Sequence, residues 1–425
     1  MKIGSLFGIG TAAFALVWIG AAAGIAAAQT PTLSLAQALQ IAREHNPLID
    51  IAHQRIDVAQ GMRTQAGLIP NPVLTATSEN EPLGGAPGFT FSNQTDDYIY
   101  ASQTIELGGK RQRRVAAAQA GIAVSGLEAE IALRQLAARV ALAYWGASAA
   151  AMVRELYREE AATLSRMVAY SRARVHEGAA AGADLLRIQL ESDRLAASAN
   201  LAAAEADRTL VGLYQEMGAG DFPQSVTFTD SLQAIAALKL PSLDVVLRQR
   251  PEVRLANARL QQAQATARLE RANAIPDPDL MLGYKRWSGY DQFVGRDTLF
   301  FGVKAALPLF NRNQGRIAAA DAELRIAKLG VKAQELAIRA EVASALKQYR
   351  RSLEALERIM PAMNERASRN LEITREAYHI GGADLIRFLD AERMRIETRV
   401  SYLRALAQYH QSLVHLEYAT GMTIR

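Results

Sequence analysis

The stretch Gly182-Ala183-Asp184-Leu185-Leu186-Arg187 returns 200 residues later as Gly382-Ala383-Asp384-Leu385-Ile386-Arg387. Its surroundings return with it. Asn46-Pro47 is matched by Arg250-Pro251, and Ile69-Pro70-Asn71-Pro72 by Ile275-Pro276-Asp277-Pro278. A chain that keeps the order and spacing of such landmarks is built from two copies of one unit, and this duplication constrains the fold more than any other feature. The units are expected at residues 29–220 and 242–425, joined by a linker at 221–241 that holds Pro223 and a short strand candidate, Ser225 to Thr229. Each repeated hexapeptide lies between two long, Ala-rich, charged runs, as the turn of a helical hairpin does. Glycine permits the reversal, and Asp184 and Asp384 are placed to cap the helix that follows.

Within each unit the order of elements is the same. A helix runs from Ser34 to Leu68, broken near Asn46-Pro47, and its counterpart from Ser242 to Ile275, broken at Arg250-Pro251. The proline pairs end both helices and push the preceding residues into extended form. Two extended segments follow in each unit: Val73–Glu79 and Tyr98–Leu107 (pair 73–107), then Asp279–Trp287 and Thr298–Leu309 (pair 279–309). Leu280, Leu282 and Tyr284 alternate with Met281, Gly283 and Lys285, and Leu299, Phe301, Val303 and Ala305 share one side. Such alternation over about ten residues suits a strand with lipid on one face and a wet lumen on the other, although a soluble hairpin can carry it too. Polar Gly/Pro-rich connections such as Pro82–Gly88 separate the strands. Four strands cannot close a barrel within one chain, and lipid excludes open edges, so membrane strands of this number imply several chains sharing one barrel.

Past the strands the pattern becomes heptad. Val115, Ile122, Ala129, Leu136 and Ala143 recur every seven residues, as do Ile317, Leu324, Val331, Ile338 and Ala345. This is the seam of helices that wrap around neighbours. The proline-free run from Gly109 to His176 would extend about 100 Å as a helix. Pro361 predicts a kink in the second run, and the return helices end near Gly218 and Gly421.

Composition narrows the function classes. The chain has 425 residues, 48 basic and 43 acidic, with a net charge of +5 spread along its length, which argues against nucleic acid as a partner. The absence of cysteine removes disulfides, thiolate metal sites and cysteine nucleophiles. Residues 1–28 read as an export signal: Lys2, an apolar run from Leu6 to Ile25, and Ala26-Ala27-Ala28 before Gln29. No later stretch has 18 consecutive apolar residues, so no helix is expected to span a bilayer.

These residues resemble the outer-membrane efflux protein family, the TolC-like channels, over nearly the whole mature chain. Gln65-Ala66-Gly67-Leu68-Ile69-Pro70-Asn71-Pro72 and Gln103-Thr104-Ile105-Glu106-Leu107-Gly108-Gly109-Lys110-Arg111 are similar to the CzcC-like branch, which serves heavy-metal exporters. The resemblance implies a mainly α fold with a membrane β-barrel part. In a homotrimer, four strands per chain complete a twelve-stranded barrel in outer-membrane lipid, and the duplicated hairpins form a periplasmic α-barrel. It also implies that the turns, Gly182 to Leu185 and Gly382 to Leu385, form a periplasmic tip. That tip docks an adaptor (a membrane fusion protein) and an inner-membrane pump of the resistance-nodulation-division (RND) type. The channel is then passive, an exit duct for cations such as cobalt, zinc and cadmium. The family often carries two acidic residues three apart before an alanine as a ring narrowing the pore. Asp390 matches the second, but Arg387 replaces the first and Arg187 lies at the equivalent place in the first repeat. The expectation is a constriction of Arg187, Arg387 and Asp390 closed by charge pairs between helices; ordinary surface pairing is the alternative. His176 and His379 precede the two turns at equivalent positions and are candidates for rings near the entrance, or simply polar tip residues.

No phosphate loop, nucleophile elbow or His-Glu-x-x-His occurs, and no enzymatic activity, cofactor or resident metal site is expected. His410 and His415 lie about 140° apart on a helix and cannot share a ligand. Tyr144 and Trp145 are expected to pack, and the sequon Asn93-Gln94-Thr95 is of a length that arises by chance. Two other readings compete: a channel for drugs or for type I protein secretion, and a periplasmic coiled-coil adaptor. Two hairpins plus membrane-type strands speak against the adaptor.

Overall fold

The computed structural model describes residues 31–79, 95–179, 181–220, 223, 225–232, 240–287 and 296–424. The export signal, the Pro82–Gly88 connection and Asn93-Gln94 of the sequon lie outside the described residues.

The chain opens with β1 (Thr32–Leu33), α1 (Leu35–His45) and α2 (Pro47–Ala66). Ser34 caps α1 in a reciprocal box: its hydroxyl accepts the Gln37 N–H at 3.2 Å and the Gln37 side chain accepts the Ser34 N–H at 2.8 Å. The break at Asn46 is also a cap, since its Oδ1 accepts the Leu48 N–H at 3.0 Å while Pro47 occupies the first turn, where no N–H is needed. Then come β2 (Val73–Glu79), β3 (Asp96–Thr104), α3 (Lys110–His176, 67 residues) and α4 (Gly182–Met217). The second copy consists of β4 (Thr227–Phe228), α5 (Leu243–Gln249), α6 (Pro251–Asn273), β5 (Pro278–Arg286), β6 (Asp297–Ala305) and α7 (Gln314–Glu354). It ends with a π-helical turn (Ala355–Ile359), α8 (Met360–His379) and α9 (Leu385–Thr420). The expected kink at Pro361 takes the form of that π turn. Proline lacks the N–H that would bond the turn before it, and its ring crowds that carbonyl; a wider turn accommodates both.

The strands form one antiparallel sheet in the order β2-β3-β5-β6. The register places Ala76, Ile99, Tyr284 and Leu299 in one cross-strand row, and Leu74, Ala101, Leu282 and Phe301 in the next, all on one face. The opposite face carries rows such as Thr77, Tyr98, Lys285 and Thr298. The large apolar residues of the first face are exposed, Leu299 at 80% and Phe301 at 70%. A soluble sheet would bury that face, whereas a membrane barrel turns it outward. Two segments are shorter than the sequence predicts. β3 stops at Thr104 because the Leu107 N–H leaves the ladder for Asp277 Oδ1 at 2.8 Å, and β6 stops at Ala305, ahead of Pro308, which cannot donate to a ladder.

Helices α2, α3, α6 and α7 pack side by side in that order, continuing the order of the strands above them. The heptad seams turn inward: Ala129, Leu136, Ile338 and Ala345 are buried, and none of the ten seam residues is exposed. The main core lies midway along α3, where Leu136, Val140, Tyr144 and Trp145 meet Leu213, Tyr349, Tyr409 and Leu416. Tyr144 and Trp145 pack as expected. The Tyr144 hydroxyl also donates to Asp230 Oδ2 at 2.7 Å, beside the two-residue parallel pair β1–β4, and Trp145 stacks on the buried His410 at 4.0 Å. Burial and the Asp230 carboxylate together hold the Tyr144 phenol protonated. His415 is exposed, so the two histidines diverge. One 18-residue window of α3 is apolar enough to cross a membrane by length and composition alone; half of it is buried, and this helix supplies Leu136, Val140, Tyr144 and Trp145 to the main core.

Candidate functional site: the hairpin tips and the helix-to-sheet junction

The two tips are built alike but not from the residues the repeated hexapeptide suggests. α3 ends at His176 and α8 at His379, and each is followed two residues later by a left-handed glycine, Gly178 (φ 73°) and Gly381 (φ 74°). Both close as Schellman motifs, with the Ala179 N–H on Arg174 O at 2.8 Å and the Gly382 N–H on Ala377 O at 2.7 Å. Reversal therefore uses Gly178 and Gly381 rather than Gly182 and Gly382, because a Cβ at positive φ meets the following carbonyl. His176 and His379 are equivalent helix-terminal residues, and both are exposed.

The aspartates differ as well. Asp384 caps α9, its Oδ1 accepting the Arg387 N–H at 3.0 Å. Asp184 caps nothing: α4 begins earlier, at Gly182 behind Ala181, and Asp184 sits in the first turn, where it can act only on the helix dipole. Below the turns a single small core of Leu164, Ile188, Leu371, Leu385, Phe388 and Ala391 joins all four tip helices, with Tyr378 stacked on Phe388 at 5.4 Å. Gly182, Ala183 and Gly382 are exposed, and Ala383 and Leu185 half-buried. Arg187, Arg387 and Asp390 are exposed. Asp390 pairs with Arg393, one turn on in its own helix, and not with either of the other two. Among the described residues Arg187 and Arg387 make no ion pair within the chain.

Charges inside the helical layer are more tightly held. Glu160 on α3 is buried and takes Arg395 at 2.7 Å and Arg399 at 3.1 Å from α9. Further up, Arg250, only 2% exposed, donates to Glu252 at 2.7 Å, to Glu341 at 3.1 Å, and to the carbonyls of Tyr418 (3.0 Å) and Ala419 (2.5 Å) at the end of α9. Its guanidinium and that of Arg134 each lie 5.1 Å from the centre of the Tyr418 ring. Burial alone would raise the Glu252 carboxyl; the Arg250 hydrogen bond and the Arg250 and Arg134 charges outweigh it and hold Glu252 below the usual carboxylate range.

The two motifs that carry the branch resemblance, distant in sequence, meet at the junction of sheet and helices. Arg111 donates to Gly67 O at 2.6 Å, and Arg114 to Ala66 O at 3.1 Å and Leu68 O at 3.0 Å, so two arginines satisfy the last carbonyls of α2. Arg114 also pairs with Glu106. Lys110, nearly buried, does the same for α6, reaching Ile275 O at 2.5 Å and Asp277 Oδ2 at 2.6 Å. The roles of Arg114, Asn46 and Arg250 are not evident from the sequence patterns. The signal available was a polar residue directly before each helix-restarting proline. Among the described residues no three His, Asp or Glu side chains converge as metal ligands.

With this geometry the comparisons agree. The description "outer membrane efflux protein" matches residues 38–219 and 243–422. The chain is 26% identical over 398 residues to the cobalt-zinc-cadmium resistance protein CzcC of Cupriavidus metallidurans, covering 92% of this chain and 90% of that one. It is 27% identical over 331 residues to the nickel-cobalt-cadmium resistance protein NccC of Alcaligenes xylosoxydans xylosoxydans, covering 75% and 72%. A solved membrane protein from Pseudomonas aeruginosa shares the fold with a TM-score of 0.77 at 20% identity, over 91% of this chain and 93% of that one. Two repeats, two hairpin tips and a sheet with an outward apolar face are those of a TolC-like channel, not of an adaptor or an enzyme: the chain belongs to the outer membrane efflux protein family, as an outer-membrane channel with a periplasmic helical extension.

Proposed function

We propose that three copies of this chain form one closed channel that releases heavy-metal cations, handed on by an RND-type pump through a periplasmic adaptor at the hairpin tips. The observation that carries the ring is the pair of matching open ends. The sheet order β2-β3-β5-β6 leaves β2 and β6 each paired on one side only among the described residues, and the helices below end on α2 and α7. Both flanking helices carry exposed apolar residues, Ile51, Val58 and Met62 on α2 and Ile326, Leu329 and Leu336 on α7. Lipid tolerates no unpaired strand edge, so β6 of one copy must meet β2 of the next. Three copies give twelve strands. Residues 1–28 serve as the export signal that brings the chain there.

The metal reading is supported by CzcC and NccC, whose names assign them to metal resistance. The channel does not choose its cargo, which the pump delivers. In a deletion strain we expect sensitivity to some of zinc, cadmium, cobalt, nickel, copper and silver, with unchanged tolerance of a dye and a detergent. Sensitivity to dye and detergent alone would overturn the metal reading in favour of a drug channel. At the tips, we place Arg187 and Arg387 as the unneutralised charges of the constriction, since Asp390 is engaged by Arg393. Arg187→Ala with Arg387→Ala should raise single-channel conductance in a planar bilayer; unchanged conductance would remove these residues from the constriction.

A further inference from the structure

The loop between β6 and α7 carries the most exposed large apolar residue of the described chain, Phe310, at 90%. Leu307 and Leu309 beside it are also exposed. An aromatic on a slack loop would fold back onto its own protein, and this loop is not slack. The Leu309 N–H donates to Leu307 O at 2.9 Å, Arg312 Nε to Pro308 O at 3.2 Å, and Gln314 Nε2 to Phe310 O at 3.1 Å. Asn313, the one non-glycine at positive φ among the described residues, anchors the far end by donating to Glu270 O at 2.7 Å and to Glu270 Oε2 at 2.8 Å. The phenyl ring is thus held away from its own chain by hydrogen bonds that leave it nothing to cover. A group fixed in this way loses little freedom when a partner arrives, which is the arrangement of a pre-organised contact.

At the opposite edge of the chain, at the same junction of sheet and helices, lies a shallow hollow of about 490 Å³. Its walls are Met62, Leu68, Ile69 and Pro70, with the Glu106–Arg114 ion pair at the rim. Met62, Leu68 and Ile69 are all more than half exposed. The hollow is built from the last turns of α2 and the segment that leads to β2; the Phe310 loop follows β6 and precedes α7. Whatever joins a β6–α7 edge to a β2–α2 edge brings loop and hollow to the same level. Thioether and aliphatic side chains accept an aromatic ring without demanding a fixed geometry.

We infer that Phe310 of one copy seats in the Met62–Leu68–Ile69 hollow of the next, as the apolar lock of the subunit interface at the base of the barrel. This rests on the ring reading given above. It assigns a purpose to the Gln65–Pro72 motif: its arginine-held carbonyls fix the wall against which the neighbour's ring packs. A buried aromatic anchor of this kind is the type of residue that dominates an interface.

The chain has no cysteine, so a pair can be introduced cleanly. In the full-length protein, Phe310→Cys with Ile69→Cys should yield, on oxidation, a covalent trimer that reduction reverses, while either single variant yields none. Phe310→Ala should speed dissociation of the trimer on heating by tenfold or more, with Phe310→Leu retaining most of the resistance. The mass of the unaltered protein in detergent separates the two ways to fail. A trimeric mass without a cross-link, together with quenching by brominated phospholipid of a thiol label on the single variant Phe310→Cys, would mean that the ring faces lipid; the lock is then wrong and the trimer stands. A monomeric mass would overturn both.

Discussion

Asn46 and Arg250 occupy the same place in the two repeats, directly before the proline that restarts a helix, and each reaches the carbonyl end of its own repeat's return helix. Asn46 donates Nδ2 to Glu216 O at 2.8 Å; Arg250 donates to Tyr418 O at 3.0 Å and Ala419 O at 2.5 Å. The topological task is identical, because a helix that ends in the protein interior must have its last carbonyls satisfied by something. The chemistry is not. The amide is neutral and asks for one acceptor, whereas the guanidinium brings a buried charge that needs Glu252 and Glu341 beside it. A duplicated fold preserves the place where a donor is required and leaves the kind of donor free. What the second repeat gains is a tie to α7 through Glu341; its liability is a charge cluster that fails badly if one member is lost.

The comparison can be broken in order of expected effect. Arg250→Met should be the most damaging, at about 3–5 kcal/mol of stability, because it removes the only side-chain donor on the Ala419 carbonyl among the described residues and the nearest cation of the half-buried Glu252, which keeps only Arg134 at 3.7 Å. Thermal unfolding in detergent would measure it, and adding Glu252→Gln should recover part of the loss. Acid should act on the same cluster. Glu252 is held below its usual range in the folded protein, so its contribution is present above the unfolded value of about 4.3 and is lost as pH falls through the lower folded value. An acid unfolding curve should therefore steepen below about pH 4, and do so less in Glu252→Gln. Asn46→Ala should cost about 1–2 kcal/mol, since one carbonyl and one helix cap go unmet without any stranded charge. A loss equal to that of Arg250→Met would refute the distinction between neutral and charged donors. The tips offer the smallest test of repeat asymmetry: Asp384→Ala should cost about 1 kcal/mol as a lost cap, and Asp184→Ala about 0.3 kcal/mol as a lost dipole contact.

Much of the fold was legible in particular residues. Pro47, Pro251 and the two Pro-x-Pro stops placed the helix boundaries, because proline acts on its own backbone whatever surrounds it. Alternation along Leu280–Tyr284 and Leu299–Val303 gave the outward face of the sheet, and Pro361 its disturbance of the second run. The tips were legible only in outline. Matching letters at 182–187 and 382–387 concealed that α4 starts before its aspartate and α9 after, because the first turn has three more residues between its left-handed glycine and the hexapeptide than the second.

By itself the sequence determined the duplication, the lengths of the rods, the positions of the breaks and the sidedness of the strands. All of these follow from backbone preferences and periodicities that act within a few residues. The tertiary structure alone decided which donor meets which helix end. Arg114 finds carbonyls 46 and 48 residues away, Asn46 one at 170, and Arg250 two at 168 and 169. A polar side chain carries no record of its partner's position along the chain; packing brings the two to about 3 Å, and only there is the choice between an amide and a guanidinium given its consequence.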